Sequence, residues 1–178
     1  MHASDTLMYR EAHESADVVA RQFAANEKVV GELAAALRAQ PPRFIVTCAR
    51  GSSDHAAAYA KYVFETQLGI VTASASPSVT SVYAAPQQWD GALFIAISQS
   101  GKSPDLVRNA QAAKIAGARV VAMVNVEDSP LAALADTVIP LHAGPERSVA
   151  GRRATSARSW PARAWPATGW TTRSCWGR

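Results

Sequence analysis

Three strand-length runs, RFIVTC (43–48), ALFIAI (92–97) and RVVAMV (119–124), lack the apolar–polar alternation of a strand with one wet face. A strand apolar along its whole length is covered on both faces, and sheets covered on both faces are parallel sheets flanked by helices. The segments between these runs read as helices. DHAAAYAKYVFETQ (54–67) places Ala and aromatic side chains on one side, and PDLVRNAQAAKIA (104–116) is closed by Gly117. Weaker runs at 70–73 and 137–141 bring the strands to five, and short helices fit 76–84 and 129–135. This alternation predicts an α/β domain, a doubly wound, five-stranded parallel sheet with flavodoxin-like layering. Ahead of it, 7–23 and 26–39 carry apolar residues at helical spacing. Asn26-Glu27 suits a second helix start and Pro41-Pro42 ends the pair. The expectation is a helical hairpin over 1–42 followed by the α/β domain over 43–150.

At 178 residues and 48% apolar, the chain can bury one ordinary core. No apolar run is long enough to cross a membrane, and MHASDTLMYREAHE lacks the basic and apolar regions of a signal peptide. Two cysteines, Cys48 and Cys175, imply no disulfide framework. The expected compartment is the cytoplasm, with no membrane partner. A net charge of +4 invites a nucleic-acid reading, but its location removes that reading. The last 28 residues hold six arginines and no acid, which leaves 12 basic and 14 acidic side chains before them, a net of −2. No basic stripe of the kind nucleic acids require remains, so no nucleic-acid partner is expected.

In doubly wound domains ligands sit beyond the carboxyl ends of the strands, near the switch point. Two strand ends here carry hydroxyl-rich turns that enter helices, CARGSSD after the first run and SQSGKSPD after the third. A helix N-terminus offers unpaired N–H groups and partial positive charge, which bind phosphate without a cationic side chain. Ser98, Gln99, Ser100, Gly101 and Ser103 supply donors and a close-approach glycine at one such end. Helix capping competes with this reading. Ser103-Pro104 suits an N-cap followed by Pro at N1, and Ser53-Asp54 and Ser129-Pro130 suit the same device. Ser98 and Ser100 precede the cap and are surplus to it, which favours a ligand.

The GKS at 101–103 does not make a nucleotide phosphate loop. That pattern needs glycine five residues before Gly101, where Ala96 lies inside the strand. Lys102 then reads as a solvated lysine. The three-glycine dinucleotide fingerprint is absent, so no nucleotide cofactor is called for. His55 follows the first turn on an Ala-rich helix with no second ligand at metal spacing, so no metal site is expected. Cys48 reads as a small buried residue ending a core strand.

Together, GSSDHAA, ISQSGKSPD, VNVEDSPLA and HAGPERSVA, in this order after successive strands, resemble the sugar isomerase (SIS) domain. The likeness is to its amino-sugar branch, which includes the isomerase half of glutamine–fructose-6-phosphate transaminase and glucosamine-6-phosphate deaminases. It runs from about Arg10 to Ala150. The resemblance implies binding of a hexose 6-phosphate or amino-sugar phosphate, with Ser98, Gln99, Ser100 and Ser103 on the phosphate. It implies that Gly51, Ser52 and Ser53 contact the sugar and that Val149 lies against it. It implies no cofactor, and homodimers in full-length relatives. Transaminases usually carry an acid where Lys102 stands, and Lys102-Ser103-Pro104-Asp105 is closer to the deaminase-like branch. The glutamine-hydrolysing domain is missing, so ammonia transfer from glutamine is not expected, and isomerase, transaminase and deaminase lineages stay open. A non-catalytic sugar-phosphate sensor is the alternative. The 42 residues before Arg43 are too few for the DNA-binding domain of the regulators that use one.

In the family, SVA leads into a long apolar helix and a second SIS domain. Here it leads into GRRATSARSWPARAWPATGWTTRSCWGR, which uses eight residue types and holds four of the five tryptophans. Shifted by one frame, Ser159-Trp160-Pro161 becomes Leu, Met or Val followed by Ala. Apolar residues then recur at 156, 159, 160 and 165, near helical spacing. The expectation is a frame-shifted, disordered tail over 151–178 and a chain truncated after its first SIS domain, with catalytic groups unassigned. The alternative is an Arg/Trp-rich peptide that binds membranes or nucleic acid.

Overall fold

A computed structural model of the chain describes residues 5–145. The segment from Glu146 onward, with Val149 and the tail, lies outside the described residues. Eleven elements follow one another: α1 (Leu7–His13), α2 (Ser15–Ala39), β1 (Phe44–Ala49), α3 (Ser52–Leu68), β2 (Thr72–Ser74), α4 (Pro77–Ser81), β3 (Ala92–Ser98), α5 (Pro104–Ile115), β4 (Arg119–Val124), α6 (Pro130–Leu134) and β5 (Thr137–Pro140). The five strands form one sheet in the order β2-β1-β3-β4-β5, and every pairing is parallel. This is the expected doubly wound sheet.

Strand alternation sorts the core into two layers. Ile45, Leu93, Ile95, Ile97, Val121 and Met123 point to the face covered by α2 and α3, where they meet Leu33, Leu37, Ala57 and Phe64. Val46, Cys48, Phe94, Ala96, Val120, Ala122 and Val124 point to the opposite face, beneath α5 and α6, with Leu106, Ala110 and Leu131. Trp89 meets Phe94 edge-on on that side, ring centroids 5.6 Å apart. All seven residues of β3 are buried, the apolar run Ala92–Ile97 together with the Ser98 that ends it.

The N-terminal region differs from the expected hairpin. The break falls at Glu14, and α2 runs unbroken for 25 residues through the expected junction at 24–26. Ala24 and Ala25 favour helix, and neither Gly nor Pro interrupts them. Asn26, expected to start a helix, is interior and buried. Its Nδ2 donates to the Pro140 carbonyl at 2.8 Å, and Gln22 Nε2 donates to the same oxygen at 3.3 Å. The asparagine thus satisfies the end of β5 across the fold instead of capping its own helix.

Candidate functional site

The sheet order places the switch point between β1 and β3, whose outgoing connections run to opposite sides. The register pairs Ala49 with Ile97, so both strands end side by side. The turn into α3 and the turn into α5 therefore leave the sheet next to each other. Between them lies a recess of about 260 Å³ lined by Arg50, Gly51, Ser52, Ser53, Ile97, Ser98, Gln99, Ser100, Ser103 and Leu106. Seven of the eight residues expected at the site from the sequence meet here, and Val149 lies outside the described residues.

Each turn is built by local hydrogen bonds. Gly51 has φ +56 and ψ −132, a backbone state that side chains disfavour, and it caps α3. Ser53 and Asp54 N–H groups close the turn on the Arg50 and Gly51 carbonyls at 3.2 and 3.0 Å. After β3, the Gly101 N–H donates to Ser98 Oγ at 3.1 Å, and the Lys102 N–H donates to Ser100 Oγ at 3.3 Å. The turn is also tied to its neighbours, because Asn125 N–H donates to the Gln99 carbonyl and Leu131 N–H to the Gly101 carbonyl.

The division of labour among the serines is not the one the capping argument expects. Ser103 occupies the N-cap of α5, with Pro104 at N1, yet its side chain makes no cap bond. Ser129 does cap α6, accepting from the Ala132 N–H at 3.4 Å. Ser98 and Ser100, surplus to capping, hold the turn instead. Each accepts through its oxygen, so each retains an O–H to donate. Lys102 is exposed and does not line the recess, and His55 is exposed on α3.

The sequence reading missed Arg50. Its Nη1 lies 2.7 Å from Asp105 Oδ2, joining the first turn to the start of α5. The second oxygen, Asp105 Oδ1, is buried without a hydrogen-bond partner. An arginine beside the turn glycine was the available signal. Its partner is 55 positions away, so no local pattern reveals the pair. Burial pushes the Cys48 thiol up to about 12, and the Asp105 and Asp54 charges push it the same way. Such a thiol stays protonated and is no nucleophile. Among the described residues no group of three His, Cys, Asp or Glu gathers as metal ligands.

A wider, more open groove of about 1020 Å³ adjoins the carboxyl ends of β4 and β5 and is lined by Arg21, Gln99, Asn125 and His142, among others. Asn125 braces its wall, donating to the Gly144 carbonyl at 2.8 Å and accepting from the Ala143 N–H at 2.9 Å. Gln99 lines both spaces. No helix among the described residues is long and apolar enough to cross a membrane.

Known proteins resemble this chain in sequence and in fold. The chain is 36% identical over 129 residues to the glutamine–fructose-6-phosphate aminotransferase (isomerizing) of Symbiobacterium thermophilum, covering 72% of this chain and 21% of that one. The enzyme of the same name from Helicobacter pylori is 35% identical over 114 residues, 64% of this chain and 19% of that one. The chain thus spans about a fifth of the length of these curated relatives. A crystal structure described as a phosphosugar isomerase from Silicibacter pomeroyi superposes with a TM-score of 0.88 at 42% identity, over 93% of this chain and 50% of that one. The family description "SIS domain" matches residues 40–160, more than half of the sequence, and the chain belongs to that family.

Proposed function

We propose that this domain binds a hexose 6-phosphate of the amino-sugar class, with the phosphate seated between the turns at 50–53 and 98–103. The observation that carries the reading is the convergence of the two turns at the β1/β3 switch point, with Ser98 and Ser100 each accepting from backbone and keeping a hydroxyl proton to donate. The first turn of α5, uncapped by the Ser103 side chain, adds N–H groups and helix-dipole charge. The names of the aminotransferase and phosphosugar isomerase relatives support a phosphorylated sugar as the ligand class.

Aldose–ketose isomerisation moves a proton between C1 and C2 and needs a general base within hydrogen-bond reach. The described residues that line the recess include no His, Cys, Lys, Asp or Glu. That favours binding, rather than turnover, as the role these residues perform, and keeps a sugar-phosphate sensor as the second reading. Isothermal titration of the 178-residue chain with glucosamine-6-phosphate, glucosamine and ATP tests the proposal. The sugar phosphate should bind, the unphosphorylated sugar should not, and isomerase or deaminase turnover should stay at background. Preference for ATP, or no binding of any hexose phosphate, would overturn it.

A further inference from the structure

We propose that Arg50, held in place by Asp105, is the residue that selects a dianionic phosphate ester in this recess. The inference rests on the phosphate reading above and adds a charge-recognition element to it. The other lining residues are serines, a glycine, a glutamine and two apolar side chains, so Arg50 carries the only charge among them. Neutral donors hold any tetrahedral anion. A guanidinium favours the more highly charged one.

The pair is built to bridge rather than to swing. The Asp105 side chain is 19% exposed and that of Arg50 65%, so the carboxylate is the more buried partner and the guanidinium the more accessible one, at a residue that lines the recess. Asp105 Oδ1 already lacks a partner. Departure of Arg50 would strand the more buried carboxylate, which is costly. Arginine has five N–H donors in a rigid fork, and one nitrogen on Asp105 leaves the others for a second anion. Asp105 thereby fixes the orientation of Arg50, while its own negative charge, beside the anion, is neutralised only as long as Arg50 stays. The carboxylate acts through the arginine and is a positioning residue.

This arrangement makes a signed prediction for a double-mutant cycle read by titration calorimetry with a hexose 6-phosphate and the matching hexose 6-sulfate, a monoanion. Arg50→Ala should weaken the phosphate ester by about tenfold or more and the sulfate ester by about threefold or less, because charge recognition is what is lost. Arg50→Lys should fall between the wild type and Arg50→Ala. Asp105→Asn should weaken phosphate binding when Arg50 is present. In the Arg50→Ala background the same change should be neutral or strengthening, since there it only removes a repelling charge. Equal losses for phosphate and sulfate, or the same effect of Asp105→Asn in both backgrounds, would overturn the proposal. Failure of the wild type to bind either ester would instead refute the phosphate reading beneath it. Should Asp105→Asn fail to fold by thermal melting, the phosphate-to-sulfate ratio of Arg50→Ala and Arg50→Lys decides alone.

Discussion

The Gly101 N–H donates to the buried Ser98 Oγ at 3.1 Å, so the last residue of the central strand closes the turn that leads into α5. One hydroxyl oxygen shapes the backbone there and keeps its own proton to donate. Ser98→Ala should therefore act twice. It leaves the Gly101 N–H without its acceptor, at a stability cost of about 1–3 kcal/mol, and it weakens hexose phosphate binding by a similar amount. Ser100→Ala, on a more exposed turn, should weaken binding with less effect on stability. Chemical denaturation and calorimetry on the same samples separate the two. Ser98→Ala that binds like the wild type would remove the hydroxyl from the ligand set.

Gly101 itself sits at φ +63, and a Cβ built there would lie 2.7 Å from the Cβ of Ser129. A side chain meets both backbone strain and a hard contact with the cap of α6. Gly101→Ala should destabilise the fold by at least about 2 kcal/mol, of which the left-handed backbone accounts for about 1–2 kcal/mol. Adding Ser129→Gly should recover part of the loss, because only the contact is relieved. Urea denaturation of the single and double variants checks this, and full recovery would show that strain contributes nothing.

Local chemistry made most of this fold readable. The buried strands announced themselves by missing alternation, and Ser129-Pro130 marked the cap and first turn of α6 where they lie. Ser98 and Ser100 stood out because they exceed what one helix cap can use, and both line the recess. The features that escaped are those that depend on distant partners. Asn26 looked like a helix start because its bond to the Pro140 carbonyl spans 114 positions, and Arg50 drew no reading at all because Asp105 is 55 positions away. Ser103 has the sequence of a capping serine and makes no cap bond, which capping statistics alone do not distinguish.

Cys48, one residue before the end of β1, is fully buried, with its thiol raised to about 12 by burial and by the Asp105 and Asp54 charges. Thiolate is the reactive form, so the native protein should show no Cys48 reaction with a disulfide reagent at about pH 8. A Cys175→Ser variant isolates the signal, and unfolding in guanidinium should release one reactive thiol. Rapid labelling of the folded variant would mean that the sheet opens at β1.

At the other end of the sheet, Asp136 ties α5 to the start of β5. Lys114 Nζ lies 2.8 Å from Oδ1 and also donates to the Leu134 carbonyl at 2.7 Å, while the Val120 N–H donates to Oδ2 at 2.8 Å. Burial alone would raise this carboxyl. The hydrogen bonds from Lys114 and Val120, with the charges of Lys114 and Arg119, outweigh it and hold the group below its usual value. A depressed folded value means that the charged form stabilises the native state. The contribution is present above the unfolded value and is lost as pH falls below about 4 and through the folded value. Asp136→Asn keeps an acceptor for the Val120 N–H and removes only the charge. With both side chains 39% exposed, solvent screening limits the cost at neutral pH to about 1 kcal/mol or less. The variant should also lose part of the acid-induced fall in stability, narrowing its gap to the wild type as pH drops. Denaturant melts at neutral and acid pH measure that gap, and a gap that stays constant or widens toward acid would show that the Asp136 charge does not stabilise the fold.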